Sequence, residues 1–259
     1  MRVDLHNHTP LCNHAEGSPR EFVLKAIDEG IDIFGFSDHN PMEFDKNYRM
    51  SFKDMPAYEA EILSLKEEFK SQIDIRLAYE VDFLPKYMDS RVLDAKVDYL
   101  IGSVHFLDEW GFDNPEFIGR WKGADIDYLY QQYFNAIKEM ANSGHFQIAG
   151  HLDLIKVFGY KPKKDIRVYA KDAIDAIKKA NMAVEINARG YTKPVKEPYP
   201  SRELLEMCYE KDIPITFASD AHKVEDIGYK YNDSLALAKE IGYNSCVSFI
   251  NKDKELHKF

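Results

Sequence analysis

The sequence contains little cysteine and no long apolar run. Its three cysteines, Cys12, Cys208 and Cys246, are widely spaced and form no CxxC pair, so neither a disulfide framework nor a zinc ribbon is predicted. No apolar stretch approaches the length of a membrane span, and the opening segment Met1–His6 is too short and too polar for a signal peptide. We therefore expect a protein of the reducing cytoplasm that does not enter a membrane.

The sequence also lacks an excess of positive charge. Its 34 lysines and arginines stand against 44 aspartates and glutamates, which gives a formal net charge of −10. Proteins that bind nucleic acid usually present a basic face to the phosphate backbone, although bound metal ions would add local positive charge. The charge balance therefore favours a small-molecule partner over a nucleic acid.

Short apolar runs alternate with amphipathic stretches along all 259 residues. This alternation predicts a parallel sheet covered by helices, and the length suits one barrel domain spanning residues 1–259. No repeat or linker divides the chain. The predicted strands are Arg2–His6, Asp32–Ser37, Asp74–Val81, Tyr99–Val104, Gln147–Gly150, Ala183–Asn187 and Pro214–Ala218, and an eighth candidate is Ser245–Ile250.

Two helices have clear sequence signals. Apolar residues recur at three- and four-residue steps through Asp125–Asn142 and define one apolar face. Ser18, Pro19 and Glu21 occupy the N-cap, N1 and N3 positions of a second predicted helix. Gly30 is placed to end that helix.

Metal-capable side chains follow nearly every predicted strand at its C-terminal end. In an open sheet these ends spread along a line, whereas in a barrel they converge on one pocket at the top face. We therefore predict an α/β barrel. The side chains are His6 and His8, Asp38 and His39, Glu80 and Asp82, His105, His151 and Asp153, Glu185 and Asn187, and Asp220 and His222.

The histidines favour a metal site over a packed core. His6 and His8 leave the first strand side by side, which suits a divalent metal. A single histidine after a strand is more often a hydrogen-bonded structural residue, but seven of the nine histidines follow predicted strands, His14 being the seventh, a little further beyond the first strand. His145 and His257 are expected at the surface. Glu80 lies in an apolar run, where an unpaired carboxylate would be costly without a cation nearby.

These residues stand in motifs that resemble the polymerase and histidinol phosphatase (PHP) superfamily. The resemblance covers almost the whole chain. Within the superfamily it is closest to the histidinol-phosphate phosphatases, through the segments Phe36–Pro41, Ser103–Phe106, His151–Lys156 and Glu197–Ser201. The superfamily motifs are Asp4-Leu5-His6-Asn7-His8-Thr9, His14-Ala15-Glu16-Gly17, Phe36-Ser37-Asp38-His39, Tyr79-Glu80-Val81-Asp82, Gly102-Ser103-Val104-His105, Gly150-His151-Leu152-Asp153 and Ala218-Ser219-Asp220-Ala221-His222.

The resemblance implies a distorted, TIM-like barrel of about seven strands with three divalent metal ions at the C-terminal ends of the strands. Glu80 has two oxygens and would bridge two of the metals. The mixture of carboxylate and imidazole ligands leaves zinc, iron and manganese open. In the implied arrangement one metal takes His6, His8, Glu80 and Asp220, a second shares Glu80 and adds His105 and His151, and a third takes His14, His39 and His222.

Such a cluster suits the hydrolysis of phosphate monoesters. The metals would bind phosphoryl oxygens and supply a metal-bridging hydroxide as the nucleophile near neutral pH. The expected catalytic residues are Glu80, His39 and Asp220. Asp220 is the candidate proton donor to the leaving alkoxide.

The predicted substrate contacts lie on segments that follow the strands. Lys156, Arg189 and Lys193 are candidates for holding phosphate oxygens, with solvated surface charge as the alternative. Members of the superfamily tend to carry an arginine just after the glycine of an Asn-x-x-Gly segment, whereas here Arg189 precedes that glycine. The aromatic-rich segment Asp108–Gly123 is a candidate lid over the imidazole of the substrate, with a loop packed on the barrel rim as the alternative.

The resemblance implies a metal-dependent phosphatase that hydrolyses L-histidinol phosphate to L-histidinol and phosphate in histidine biosynthesis. One alternative is a PHP phosphoesterase that acts on another small phosphate monoester, a nucleotide or an oligonucleotide. Another is a non-catalytic, metal-binding regulatory domain. The acidic charge favours a small substrate, and the nine filled ligand positions argue against a domain that has lost activity.

Overall fold

A computed structural model describes all 259 residues, and its central feature is a sheet of seven parallel strands. The strands of the chain are β1 Val3–Asp4, β2 Ile33–His39, β3 Asp74–Asp82, β4 Tyr99–Ser103, β5 Phe106–Leu107, β6 Trp110–Gly111, β7 Ile148–Ala149, β8 Ala183–Asn187, β9 Ile215–Ala218, β10 Ser245–Ile250 and β11 Asp253–Lys258. The order in the sheet is β1-β2-β3-β4-β7-β8-β9, and every neighbouring pair is parallel.

Backbone hydrogen bonds between the two edges bring the sheet close to a full barrel. Leu5 N donates to Phe217 O at 3.0 Å, and Asp220 N donates to His6 O at 2.8 Å. The residues that follow β1 therefore pair with β9 and with the turn after it. This nearly closed barrel of seven strands confirms the predicted fold. Closure also places the C-terminal ends of the first and last strands side by side.

Seven helices surround the barrel, and both helices with clear sequence signals are confirmed. Ser18 caps α1 in a capping box with Glu21, and Gly30 follows with a φ of 68°. The predicted Asp125–Asn142 helix forms as α4, one residue further along at each end. No helix is both long and apolar enough to cross a membrane. The helices are α1 Pro19–Asp28, α2 Met55–Phe69, α3 Ser90–Leu93, α4 Ile126–Ser143, α5 Ile166–Lys179, α6 Arg202–Glu210 and α7 Tyr231–Ile241.

The eighth candidate strand forms, but it lies outside the parallel sheet. β10 pairs antiparallel with β11 and makes a separate hairpin. Val247 and Phe249 of this hairpin join the apolar residues inside the barrel, and Lys252 N donates to the carbonyl of Asp98, just before β4. Because the barrel edges already pair with each other, the hairpin instead covers the N-terminal end. The C-terminal end stays open.

Removing the α1 cap should cost a measurable part of the stability. Ser18→Ala deletes the side-chain acceptor of the Glu21 amide, so we expect the free energy of unfolding to fall by about 1 kcal/mol in urea titrations. Ser64→Ala is the matched control, because Ser64 is exposed within α2 and caps nothing. Alanine has the better helix propensity there, so stability should be unchanged or higher. Equal effects of the two substitutions would contradict the role of the cap.

Candidate metal centre

The open end of the barrel gathers all nine side chains that the sequence marks as candidate ligands. Within four sets of side chains, the nitrogen, oxygen or sulfur atoms that could bind a metal all lie within 4.8 Å of one another. These side chains come from different strand ends, which a barrel brings to one place. The sets are His6, His8 and Glu80; Glu80, His105 and His151; His14, His39 and His222; and His8, Cys12 and His222.

Glu80 lies at the middle of this cluster. Its carboxylate is 2.8 Å from His151 Nε2, 2.9 Å from His39 Nδ1, 3.3 Å from His6 Nε2 and 3.5 Å from His105 Nε2, while the residue is only 1% exposed. Burial by itself would raise the pKa of Glu80, but the surrounding imidazoles outweigh burial and hold the pKa well below its usual range. The carboxylate is therefore ionised and available to cations on both of its oxygens.

His6 and His8 both place their imidazoles beside Glu80, because the side chain of Asn7 between them points in another direction. Asn7 donates from its amide to Asp4 Oδ1 at 3.2 Å and to the carbonyl of Gly35 at 3.1 Å, inside the barrel. The Nε2 atoms of His6 and His8 are buried and have no hydrogen-bond partner. Buried polar nitrogens normally have a partner, so this pair fits a bound metal ion.

The three imidazoles of His14, His39 and His222 form a second part of the cluster. The Nε2 atoms of His14 and His222 face each other at 3.0 Å. Burial lowers the pKa of His39 to about 4 and lowers the pKa of His222 well below its usual value. These imidazoles are neutral near pH 7, which is the form that binds metals.

Three carboxylates orient the imidazoles of this cluster, a role that differs from the direct metal binding for which the sequence marked them as capable. Glu185 Oε2 lies 3.0 Å from His6 Nδ1, and its Oε1 accepts from the backbone N–H of His151 at 2.8 Å. Asp38 Oδ1 is 3.4 Å from Nδ1 of His8. Their position after buried strands was the available signal, since second carboxylates commonly hold metal-binding histidines in one orientation.

Asp82 provides the third such contact and connects the cluster to a buried arginine. Its Oδ1 lies 2.7 Å from His105 Nδ1, and its Oδ2 lies 2.9 Å from Arg49 Nη2. Burial opposes the charge on His105, but Asp82 and Glu80 outweigh burial and raise its pKa to about 10. Nε2 of His105 remains directed towards Glu80.

Asp220 lies at the cluster, beside His8. Its backbone has a φ of 54°, which turns the chain sharply after β9, and its Oδ1 is 3.3 Å from His8 Nε2. Burial would raise the pKa of Asp220, yet the imidazoles of His6, His8 and His222 hold the pKa well below its usual range. An ionised carboxylate suits a cation, and the role of Asp220 as proton donor stays a prediction.

The three cationic residues predicted to contact the phosphate lie in two different environments. Arg189 and Lys193 line a cavity of about 500 Å³ that opens over the cluster. Lys156 does not line this cavity, which corrects the expectation for that residue. Its side chain is buried, with Nζ 3.0 Å from Asp153 and 2.7 Å from the carbonyl of Pro198. A nearby carboxylate thus already satisfies this lysine.

The aromatic-rich segment 108–123 combines features of both predicted alternatives. Trp110, Phe112 and Trp121 are buried against the barrel, as expected for a packed rim loop. The Trp121 Nε1–H donates to the carbonyl of Phe112 at 2.9 Å. Phe117, in contrast, is 46% exposed and lines the cavity. The segment is therefore an anchored rim that presents Phe117 to the cavity.

The fold and the site together define a parallel α/β barrel with a candidate metal centre at its open end. The chain belongs to the PHP family, because the model of the PHP domain matches residues 4–189. Comparison with known proteins also confirms the predicted likeness to the histidinol-phosphate phosphatases.

Two relatives and one solved structure illustrate this likeness. A protein of Deinococcus radiodurans named "Probable histidinol-phosphatase" is 39% identical over 244 residues, which cover 92% of this chain and 93% of the relative. Histidinol-phosphatase of Bacillus subtilis is 30% identical over 264 residues, covering 89% and 97%. The crystal structure of histidinol phosphate phosphatase from Lactococcus lactis, complexed with zinc, L-histidinol and phosphate, has a TM-score of 0.81 at 22% identity and covers 98% of each chain.

The contact between Glu185 and His6 predicts an effect on metal binding. Glu185→Gln keeps the shape of the side chain but removes the charge that orients the imidazole, so metal affinity should fall roughly 10- to 100-fold. Metal content after dialysis against graded chelator measures this change without an activity assay. Glu206→Gln, in an exposed i,i+4 pair on α6, is the control and should keep the metal content of the parent. Unchanged metal retention in Glu185→Gln would refute the orienting role.

Proposed function

We propose that this chain hydrolyses L-histidinol phosphate to L-histidinol and phosphate as a metal-dependent phosphatase of histidine biosynthesis. The observation that carries the proposal is the group of imidazoles around the buried carboxylate of Glu80, at the floor of a cavity sized for a small molecule. The names of the relatives and the ligands of the Lactococcus lactis structure support the same substrate.

We infer three divalent metal ions, with the partition implied by the family motifs. Bound metals would neutralise phosphoryl charge and supply a nucleophile from water near neutral pH. Three of the four side-chain sets at the open end agree with this partition. Cys12 belongs to the fourth set, but its thiol is fully buried, and burial raises its pKa, so we assign it no ligand role. Zinc in the Lactococcus lactis protein makes zinc the first metal to test.

The remaining cavity residues suit the two ends of the substrate. Arg189 and Lys193 lie on the segment that follows β8, where their charges can hold phosphate oxygens that no metal binds. The exposed ring of Phe117 offers an apolar surface to the imidazole of the substrate.

We further propose that residues 1–259 form one PHP-type barrel domain that works in the cytoplasm.

A substrate panel tests the proposed function. Purified protein, loaded with zinc, iron or manganese in turn, is assayed with L-histidinol phosphate, AMP, sugar phosphates and a short oligonucleotide. We expect kcat/KM to be clearly highest for L-histidinol phosphate, and activity to disappear with complete metal removal. Preference for the oligonucleotide or AMP would instead support a different phosphoesterase. No turnover of any ester by the metal-loaded protein would favour a regulatory domain.

The different placements of Arg189 and Lys156 predict opposite effects of their removal. Arg189→Gln should raise KM for the phosphate ester roughly 10- to 100-fold, because Arg189 faces the cavity. Its ion pair with Asp226 is partly exposed, so its loss should cost no more than about 1 kcal/mol of stability. Lys156→Met should destabilise the fold by about 3 kcal/mol, because it leaves Asp153 buried without its ion pair. Steady-state kinetics and thermal unfolding of both variants separate these outcomes. A large KM effect of Lys156→Met without loss of stability would restore Lys156 as a phosphate contact.

A further inference from the structure

The cavity carries opposite charges on two sides. Arg189, Lys193 and Lys223 line it from the segments that follow β8 and β9. Asp113 lines it from the connection between β4 and β7, on a different arc of the barrel rim. Apart from the proposed metal ligands and the ion-paired group of Asp45, Arg49 and Asp82, a ligand that fills this space therefore meets cations on one side and the carboxylate of Asp113 on the other.

Several carboxylates line this cavity, but Asp113 differs from the others. It lies near the metal-binding cluster, and no cationic side chain of the protein pairs with it. Glu80 and Asp220 are proposed ligands. Asp45 and Asp82 both form ion pairs with Arg49. Glu116 also lines the cavity but lies exposed at its outer edge. Asp113 is half-buried and forms no ion pair, and burial raises its pKa although His105 and His151 are near enough to oppose that rise.

The backbone holds Asp113 in a fixed position. The preceding residue, Phe112, is fully buried, and its N–H donates to the carbonyl of His105 at 3.2 Å. The carbonyl of Phe112 accepts from Trp121 Nε1 at 2.9 Å. Asn114 N donates to Gly111 O at 3.3 Å. A half-buried carboxylate on such a rigid support is preorganised to bind a cation, because no loop has to be ordered first.

The proposed substrate carries a cation in the position that this arrangement requires. In L-histidinol phosphate only two carbon atoms separate the ammonium nitrogen from the ester oxygen. When the phosphate lies at the cluster, the ammonium must therefore lie beside it. Asp113 meets this demand, because it lines the same cavity as His105 and His151 and the residue before it is hydrogen-bonded to the backbone of His105. Glu116 is exposed and does not.

We propose that Asp113 binds the ammonium group of the substrate and makes the site selective for phosphate esters of 2-amino alcohols; this inference rests on the proposed function. The charged hydrogen bond from ammonium to carboxylate replaces the water that the half-buried carboxylate would otherwise need. Simple alkyl or sugar phosphates lack the cation and leave Asp113 without a partner. Selectivity then arises from the cost of that unpaired charge.

The test compares two esters that differ only in the amino group, L-histidinol phosphate and its des-amino analogue, imidazolylpropyl phosphate. Asp113→Asn should lower kcat/KM for L-histidinol phosphate roughly 10- to 100-fold, mainly through KM, because one charged hydrogen bond is weakened. The variant should leave kcat/KM for the analogue unchanged. Metal content and thermal stability should match the parent, since the Asp113 side chain forms no ion pair with another residue and belongs to none of the four candidate ligand sets. Glu116→Gln, on the same rim, is the control and should behave as the parent with both esters.

The outcomes separate this inference from the proposed function. Equal losses on both esters, or a loss of bound metal, would overturn the inference by showing that Asp113 supports the fold or the metal centre. Unchanged kinetics on L-histidinol phosphate would overturn it while the proposed function stands. If the parent protein turns over neither ester, the proposed function fails, and the inference fails with it.

Discussion

The burial of one carboxylate among imidazoles is the interaction on which the rest of this site depends. Glu80 is 1% exposed, and imidazole nitrogens of four strand-end or loop histidines lie within 3.5 Å of its oxygens. An isolated charge there would be expensive, so the cluster must supply positive charge, either from protonated imidazoles or from cations. Glu185, Asp38 and Asp82 then fix the outward-facing nitrogens of His6, His8 and His105. Each imidazole consequently directs its other nitrogen to the shared centre.

The barrel can hold this charged cluster because its apolar core and its polar groups occupy different regions. Apolar residues from all parts of the sheet fill the interior, and the hairpin of β10 and β11 covers the N-terminal end. Polar groups are concentrated at the C-terminal end, where each strand contributes its last residues. Closure between β1 and β9 matters for the same reason, since it brings Asp220 within reach of His8. A flat sheet of the same strands would leave these two side chains at opposite edges.

Much of this structure could be predicted from sequence, because the informative patterns are local. Continuous apolar strands, each followed by a metal-capable side chain, indicated the barrel and the convergence of His6, Glu80 and Asp220. β10 is recognisable as a candidate strand because its apolar pattern matches a barrel strand, whereas its antiparallel partner β11 lies in a charged tail that carries no strand signal. Lys156 was wrongly expected to face the cavity because the ion pair with Asp153 depends on side-chain geometry. Asp113 belongs to no motif, and only the folded rim shows that it lines the cavity.

We have proposed that the open end of the barrel holds three metal ions, two of which Glu80 would join. Anomalous diffraction from crystals of the metal-loaded protein tests this claim most directly, because it locates each metal independently of catalysis. We expect three anomalous peaks, two of them in contact with different oxygens of Glu80 and the third among His14, His39 and His222. A single peak, or three peaks of which none contacts Glu80, would contradict the claim.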